Sequence, residues 1–136
     1  MAFIDWNDAT YSVGVKQFDD EHKELVRLIN ELHAAMKSGR GRDVMGPTLS
    51  SLTRYVKFHF AREEELMGRH GYPGLATQRQ QHDGFTKRLA DYQKNFDNGS
   101  IGITVDLLQF LQSWLIDHIL RTDRQYTEFF TGKGVR

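Results

Sequence analysis

Cysteine is missing from all 136 residues. That single absence removes disulfides, thiolate zinc sites, iron–sulfur clusters and cysteine nucleophiles, so any metal must be held by nitrogen and oxygen. Excess charge of either sign is missing too. Eighteen basic and 18 acidic residues cancel, and with neither a basic stripe nor an acidic tail, no nucleic-acid partner is expected. No apolar run approaches the length of a membrane span, and the opening "MAFIDWNDAT" has no signal-peptide pattern. A cytoplasmic protein without membrane contact is the expectation. Proline occurs only at Pro47 and Pro73, which leaves long stretches free to be helical.

Those stretches carry helical apolar spacing. Leu25, Leu28, Ile29, Leu32 and Met36 form one stripe, and Leu49, Leu52, Tyr55, Val56 and Leu66 a second. Leu75, Phe85, Leu89 and Phe96 form a third; Leu107, Leu108, Leu111, Trp114 and Leu115 a fourth. Glycines cluster between them, in "SGRGR" at 38–42, "HGYPG" at 70–74 and "DNGSIG" at 97–102. Four stripes joined by short breaks predict an all-α, up-down-up-down four-helix bundle. The expected organisation is a single domain over 1–136. It comprises an irregular N-terminal arm at 1–18, the bundle over about 19–122 and a short terminal helix at 124–131. Strand-like alternation is confined to "YSVGV" at 11–15.

Polar residues interrupt every stripe. His22 lies one turn before Leu25; His59 and Glu63 stand four apart in the second stripe. Gln78 and His82 lie between Leu75 and Phe85, and His118 follows Trp114 by one turn, with Asp123 shortly after. A carboxylate or imidazole inside a bundle is costly unless it is paired or metal-bound. In antiparallel helices, His22 and His82, early in theirs, fall at the same level as His59, Glu63 and His118, late in theirs. Four histidines and two carboxylates exceed what one zinc needs and suit two ions. Such nitrogen and oxygen donors favour iron or manganese.

In order along the chain, "DDEHKELVRLINELH", "HFAREEELM", "GYPG…H" and "WLIDHILRTD" resemble the bacterial hemerythrin-like family, over the whole sequence including the Trp6-bearing arm. The resemblance implies a diiron protein in which His22 and His59 bind one iron and His82 and His118 the other. Glu63, Asp123 and an oxo or hydroxo oxygen would bridge them. Dioxygen or small anions would bind at an open position of the two-histidine iron, with both irons passing between ferrous and ferric. Such domains occur alone, as carriers, stores or sensors, and within signalling receptors, including chemotaxis receptors.

One position departs from the family pattern. Where the third helix should read His-x-x-x-His, this chain has Gln78-x-x-x-His82. Glutamine offers at best a neutral carbonyl oxygen, a weaker donor to iron than imidazole. The expectation is an exchangeable position on the second iron and a less persistent oxygen adduct. The alternative is a peroxidase- or oxidase-like enzyme working through that position. A Glu-x-x-His pair of the ferritin-like enzymes is absent.

Five residues beyond His118, Asp123 stands roughly 140° around a regular helix. To share a site with His118, the helix must end there or carry a π-bulge. Ile119 is the candidate wall of the ligand pocket, a place the family gives to a bulky aliphatic residue. His33, three turns from His22, and His70 read as structural or solvated, Glu64 and Glu65 as a wet face, and Tyr55, Phe85 and Trp114 as core filling.

Overall fold

Each apolar stripe lies on one long helix of a computed structural model that describes residues 3–38, 42–98 and 105–135. A single turn α1 (Asp8–Tyr11) precedes α2 (Lys16–Lys37), α3 (Arg42–His70), α4 (Leu75–Asp97) and α5 (Val105–Asp117). Then come a π turn (His118–Thr122), a 3₁₀ turn (Asp123–Tyr126) and the terminal α6 (Thr127–Gly132). Helix α2 packs on α3 and α5, and α3 on α4, which gives the up-down-up-down bundle with no strand among the described residues. The glycine-rich breaks at 39–41 and 99–104 lie outside the described residues. Among those described, no helix is long and apolar enough to cross a membrane.

Burial follows the stripes. Leu25, Leu32, Leu49, Leu52, Leu89, Leu108 and Leu111 form the axis of one continuous apolar core, whose removal from water is the main drive for closing the bundle. The arm is seated on that core rather than loose. Asn30 accepts from the Ile4 N–H at 2.8 Å and donates its amide to the Ile4 carbonyl at 2.9 Å. The "YSVGV" alternation buries Val13 and Val15 in a non-helical lead-in to α2. Asp19 receives the Val13 N–H at 2.8 Å and the Ser12 hydroxyl at 2.6 Å. Between those valines Gly14 has φ +76°, and a Cβ there would meet the Thr127 methyl at 2.9 Å. Only glycine fits both the turn and the contact.

Two element edges differ from the sequence reading. The first bundle helix starts at Lys16, inside the stretch assigned to the arm, because the Asp19 contacts hold the lead-in against its first turn. The terminal helix spans Thr127–Gly132, preceded by the 3₁₀ turn. Helix α3 stops at Gly71, φ +70°, where the Tyr72 N–H reaches back to the Met67 carbonyl at 2.8 Å.

Candidate metal centre

Polar side chains occupy one end of the core. His22, His59, Glu63, Gln78, His82, His118 and Asp123 are all buried, on α2, α3, α4 and the segment that follows α5. Two groups have donor atoms within 4.8 Å of one another: His22, His59 and Glu63, and Glu63, His82, His118 and Asp123. Glu63 belongs to both. Its Oε1 lies 3.2 Å from His59 Nε2 and 3.4 Å from His82 Nε2, and its Oε2 lies 3.7 Å from His22 Nε2. Asp123 also spans the groups, with Oδ1 3.0 Å from His118 Nε2 and Oδ2 3.3 Å from His22 Nε2.

Asp123 reaches this position because the helix widens. The π turn begins at His118, and the Asp123 N–H bonds to the His118 and Ile119 carbonyls. The i→i+5 bond brings a residue five places on back to the same face. Thr122 and Ile119 are buried in the same turn.

The imidazoles are aimed from behind. His59 Nδ1 sits 2.7 Å from Glu21, His82 Nδ1 2.9 Å from Glu64 and His118 Nδ1 2.9 Å from Gln81 Oε1. An acceptor at Nδ1 places the proton there and leaves Nε2 as the inward lone pair. Arg62 holds Glu21 at 2.8 Å, Arg79 holds Glu64 at 3.3 Å, and the Thr122 hydroxyl donates to Gln81 at 2.9 Å. Aromatic rings fix the ring planes: Phe60 stacks on His82 at 3.8 Å and Trp114 on His118 at 4.3 Å. The Tyr126 hydroxyl donates to Glu63 Oε2 at 2.7 Å.

Charge and burial oppose each other here. Burial alone lowers the His22 pKa, but the close carboxylates and negative charge of Asp123 and Glu63 outweigh it and push it up to about 10. His59 and His82 are raised in the same way, burial being overcome chiefly by Glu63. Burial raises Glu63, yet the charge of His59 and the close imidazole nitrogens of His22, His59 and His82 hold it well below the usual carboxylate range. Burial and the two nearby carboxylates push the Tyr126 phenol well above its usual value, so it remains a donor. The carboxylates therefore demand cations, supplied by protons or by metal.

The donor chemistry fits metal. Among the described residues, seven buried side-chain nitrogen or oxygen atoms have no hydrogen-bond partner, and all seven are here. They are both ring nitrogens of His22, Nε2 of His82 and His118, and single oxygens of Glu63, Asp123 and Gln78. Orphaned buried polar atoms are rare and call for a ligand. The Hemerythrin HHE cation binding domain family matches residues 13–130. The chain belongs to the hemerythrin family. It is 34% identical to the bacteriohemerythrin of Methylococcus capsulatus (strain Bath) over 93% of this chain and 95% of that one. It is also 34% identical to that of Stenotrophomonas maltophilia, over 94% and 82%. A solved wild-type hemerythrin superposes with a TM-score of 0.90 at 33% identity, covering 93% of this chain and 97% of its own. Hemerythrins bind dioxygen at a diiron centre, and among the described residues the buried cluster brings together donors able to hold metal ions.

The six residues singled out in the sequence as ligands all meet in this cluster, and Gln78 lies beside them. Glu64, read as part of a wet face, instead anchors His82; only Glu65, paired with Arg69, fits that reading. Trp114 is more than filler, since it covers the His118 ring. His33 is structural, stacked on Phe3 at 4.3 Å. Glu21, Gln81 and Tyr126 were missed.

Proposed function

We propose that this hemerythrin holds two iron ions, one on His22 and His59 and the other on His82 and His118, and binds dioxygen reversibly. Glu63 and Asp123, which span the two donor groups, would hold both ions, together with a solvent-derived oxo or hydroxo group. The observation that carries this reading is the overlap of two donor groups in one shared carboxylate, Glu63. When bound, ferrous iron supplies the electrons on which dioxygen binding draws. The two carboxylates offset part of the ions' charge in a water-poor interior, where unpaired charge is most costly. The Tyr126 hydroxyl holds Glu63 in place, and Glu21, Glu64 and Gln81 fix the imidazoles. Phe60 and Trp114, stacked on His82 and His118, limit access by water; Ile119, buried in the π turn beside His118, is the proposed gate to the ligand pocket. The reading covers carriage, storage and sensing, with small anions as competing ligands.

A second reading has its own observation. Gln78 stands where the family resemblance calls for histidine, and a neutral donor in place of imidazole should shorten the life of the oxygenated state. That directs the site toward peroxidase- or oxidase-like turnover. Optical spectra of the ferrous protein before air, after air and after degassing separate the two. Return of the ferrous spectrum supports reversible binding; a rapid, permanent change to ferric supports the enzyme.

A further inference from the structure

Gln78 has one carboxamide edge committed and the other bare. Its Nε2 donates to Asp123 Oδ1 at 3.1 Å and to the Thr122 carbonyl at 3.4 Å. Both neighbours are acceptors, so the opposite orientation would set the carbonyl oxygen against two oxygens; only the nitrogen can face them. Oε1 is therefore fixed on the other edge, buried and without a hydrogen-bond partner. It lies one helical turn before His82, whose Nε2 is also unpartnered. A solvent-facing glutamine would satisfy that oxygen with water, and a purely structural one would satisfy it with protein.

We propose that Gln78 is a carbonyl-oxygen ligand of the ion held by His82 and His118, and that it tilts this position toward manganese. The inference rests on the two-ion reading above and replaces the exchangeable position expected from the sequence. Donation from Nε2 to a carboxylate polarises the amide and makes Oε1 a better donor. The donor set at that ion is then two imidazoles, two carboxylates and a neutral oxygen. Imidazole suits iron, whereas carboxylate and carbonyl oxygen suit manganese. Histidine at this position would favour iron; glutamine narrows the difference.

The test uses the full chain, stripped of metal and dialysed anaerobically against Mn²⁺, against Fe²⁺ and against both, with bound metal quantified. The wild type should take two ions of either kind. Gln78→Leu should bind its second manganese at least about tenfold more weakly, the scale of lost metal-site partners. Gln78→His should shift the competition toward iron by about tenfold, as imidazole takes the place of a carbonyl oxygen. Oε1 at ligand distance in the manganese-loaded wild type separates a ligand from a residue that only positions Asp123. Two manganese ions at unchanged affinity in Gln78→Leu, or an unchanged iron-to-manganese ratio in Gln78→His, overturns the ligand role. A wild type that binds fewer than two ions overturns the two-ion reading, and this inference with it. If Gln78→Leu fails to fold, a crystal structure of the manganese-loaded wild type decides. Oε1 at roughly 2.1–2.5 Å, in the range of hard-cation oxygen ligands, supports the role, and a longer separation refutes it.

Discussion

Replacing Glu63 by glutamine keeps the side-chain volume and removes one charge at the point where both donor groups meet. The side chain is fully buried, with His59, His82 and His22 nitrogens at 3.2, 3.4 and 3.7 Å. The amide oxygen can still accept from the Tyr126 hydroxyl, now at 2.7 Å, so the metal-free bundle should fold. Loss of a mere outer partner of a metal site costs about 10–100-fold in affinity. Glu63 touches both groups directly, so both ions should weaken by at least about 100-fold, equivalent to about 2.8 kcal/mol. Equilibrium dialysis over a range of free Fe²⁺, with metal quantified per chain, reads this out. His33→Ala, which only breaks the stack on Phe3, serves as control and should keep both ions. The reasoning is refuted if Glu63→Gln holds two ions at wild-type affinity, or loses one ion while the other is untouched.

Three further outcomes are expected. Glu21→Ala removes the acceptor behind His59 and should weaken metal binding by about 10–100-fold, seen in the same dialysis; an unchanged affinity would make the contact incidental. Metal uptake should release protons, because His22, raised from 6.5 to about 10, is protonated in the metal-free protein at neutral pH and must lose that proton to bind. Since its folded pKa lies above the unfolded value, the stabilisation is full below about 6.5 and lost as pH rises through about 10; thermal melts of metal-free protein across that window should decline, and a flat profile would contradict the pairing with Asp123 and Glu63. Ile119→Thr, at a buried site next to His118, should change the autoxidation rate and azide binding while far-UV circular dichroism stays the same; unchanged oxidation and azide affinity would place Ile119 away from the pocket.

The four histidines and Glu63 were legible because each falls along an apolar stripe, where a polar side chain needs a reason; Asp123 rested on the family resemblance. His59 and Glu63, four apart, share a helix face by periodicity alone. Asp123 was harder, since five residues from His118 is the wrong spacing for an α-helix. The π turn that corrects it shows in the sequence only as a spacing that otherwise fails. The anchors were not legible, and the reason is geometric. Glu21, Glu64 and Gln81 each neighbour a site residue in the chain, so each points about 100° away from its own helix's inner stripe. Each reaches across to a histidine on another element: Glu21 to His59, Glu64 to His82 and Gln81 to His118. Such pairings depend on which helices become neighbours and how they are rotated. The orientation of the Gln78 amide was similarly hidden, since it is set by Asp123 and the Thr122 carbonyl, both brought in by the π turn.

Iron content per chain tests the central claim most directly. The metal-free protein is reconstituted anaerobically with excess Fe²⁺, freed of unbound iron and analysed for metal and protein together. Two irons per chain is the expected result, in keeping with two donor groups that share Glu63. A content near one would contradict it, because the four imidazoles and two carboxylates would then surround a single ion.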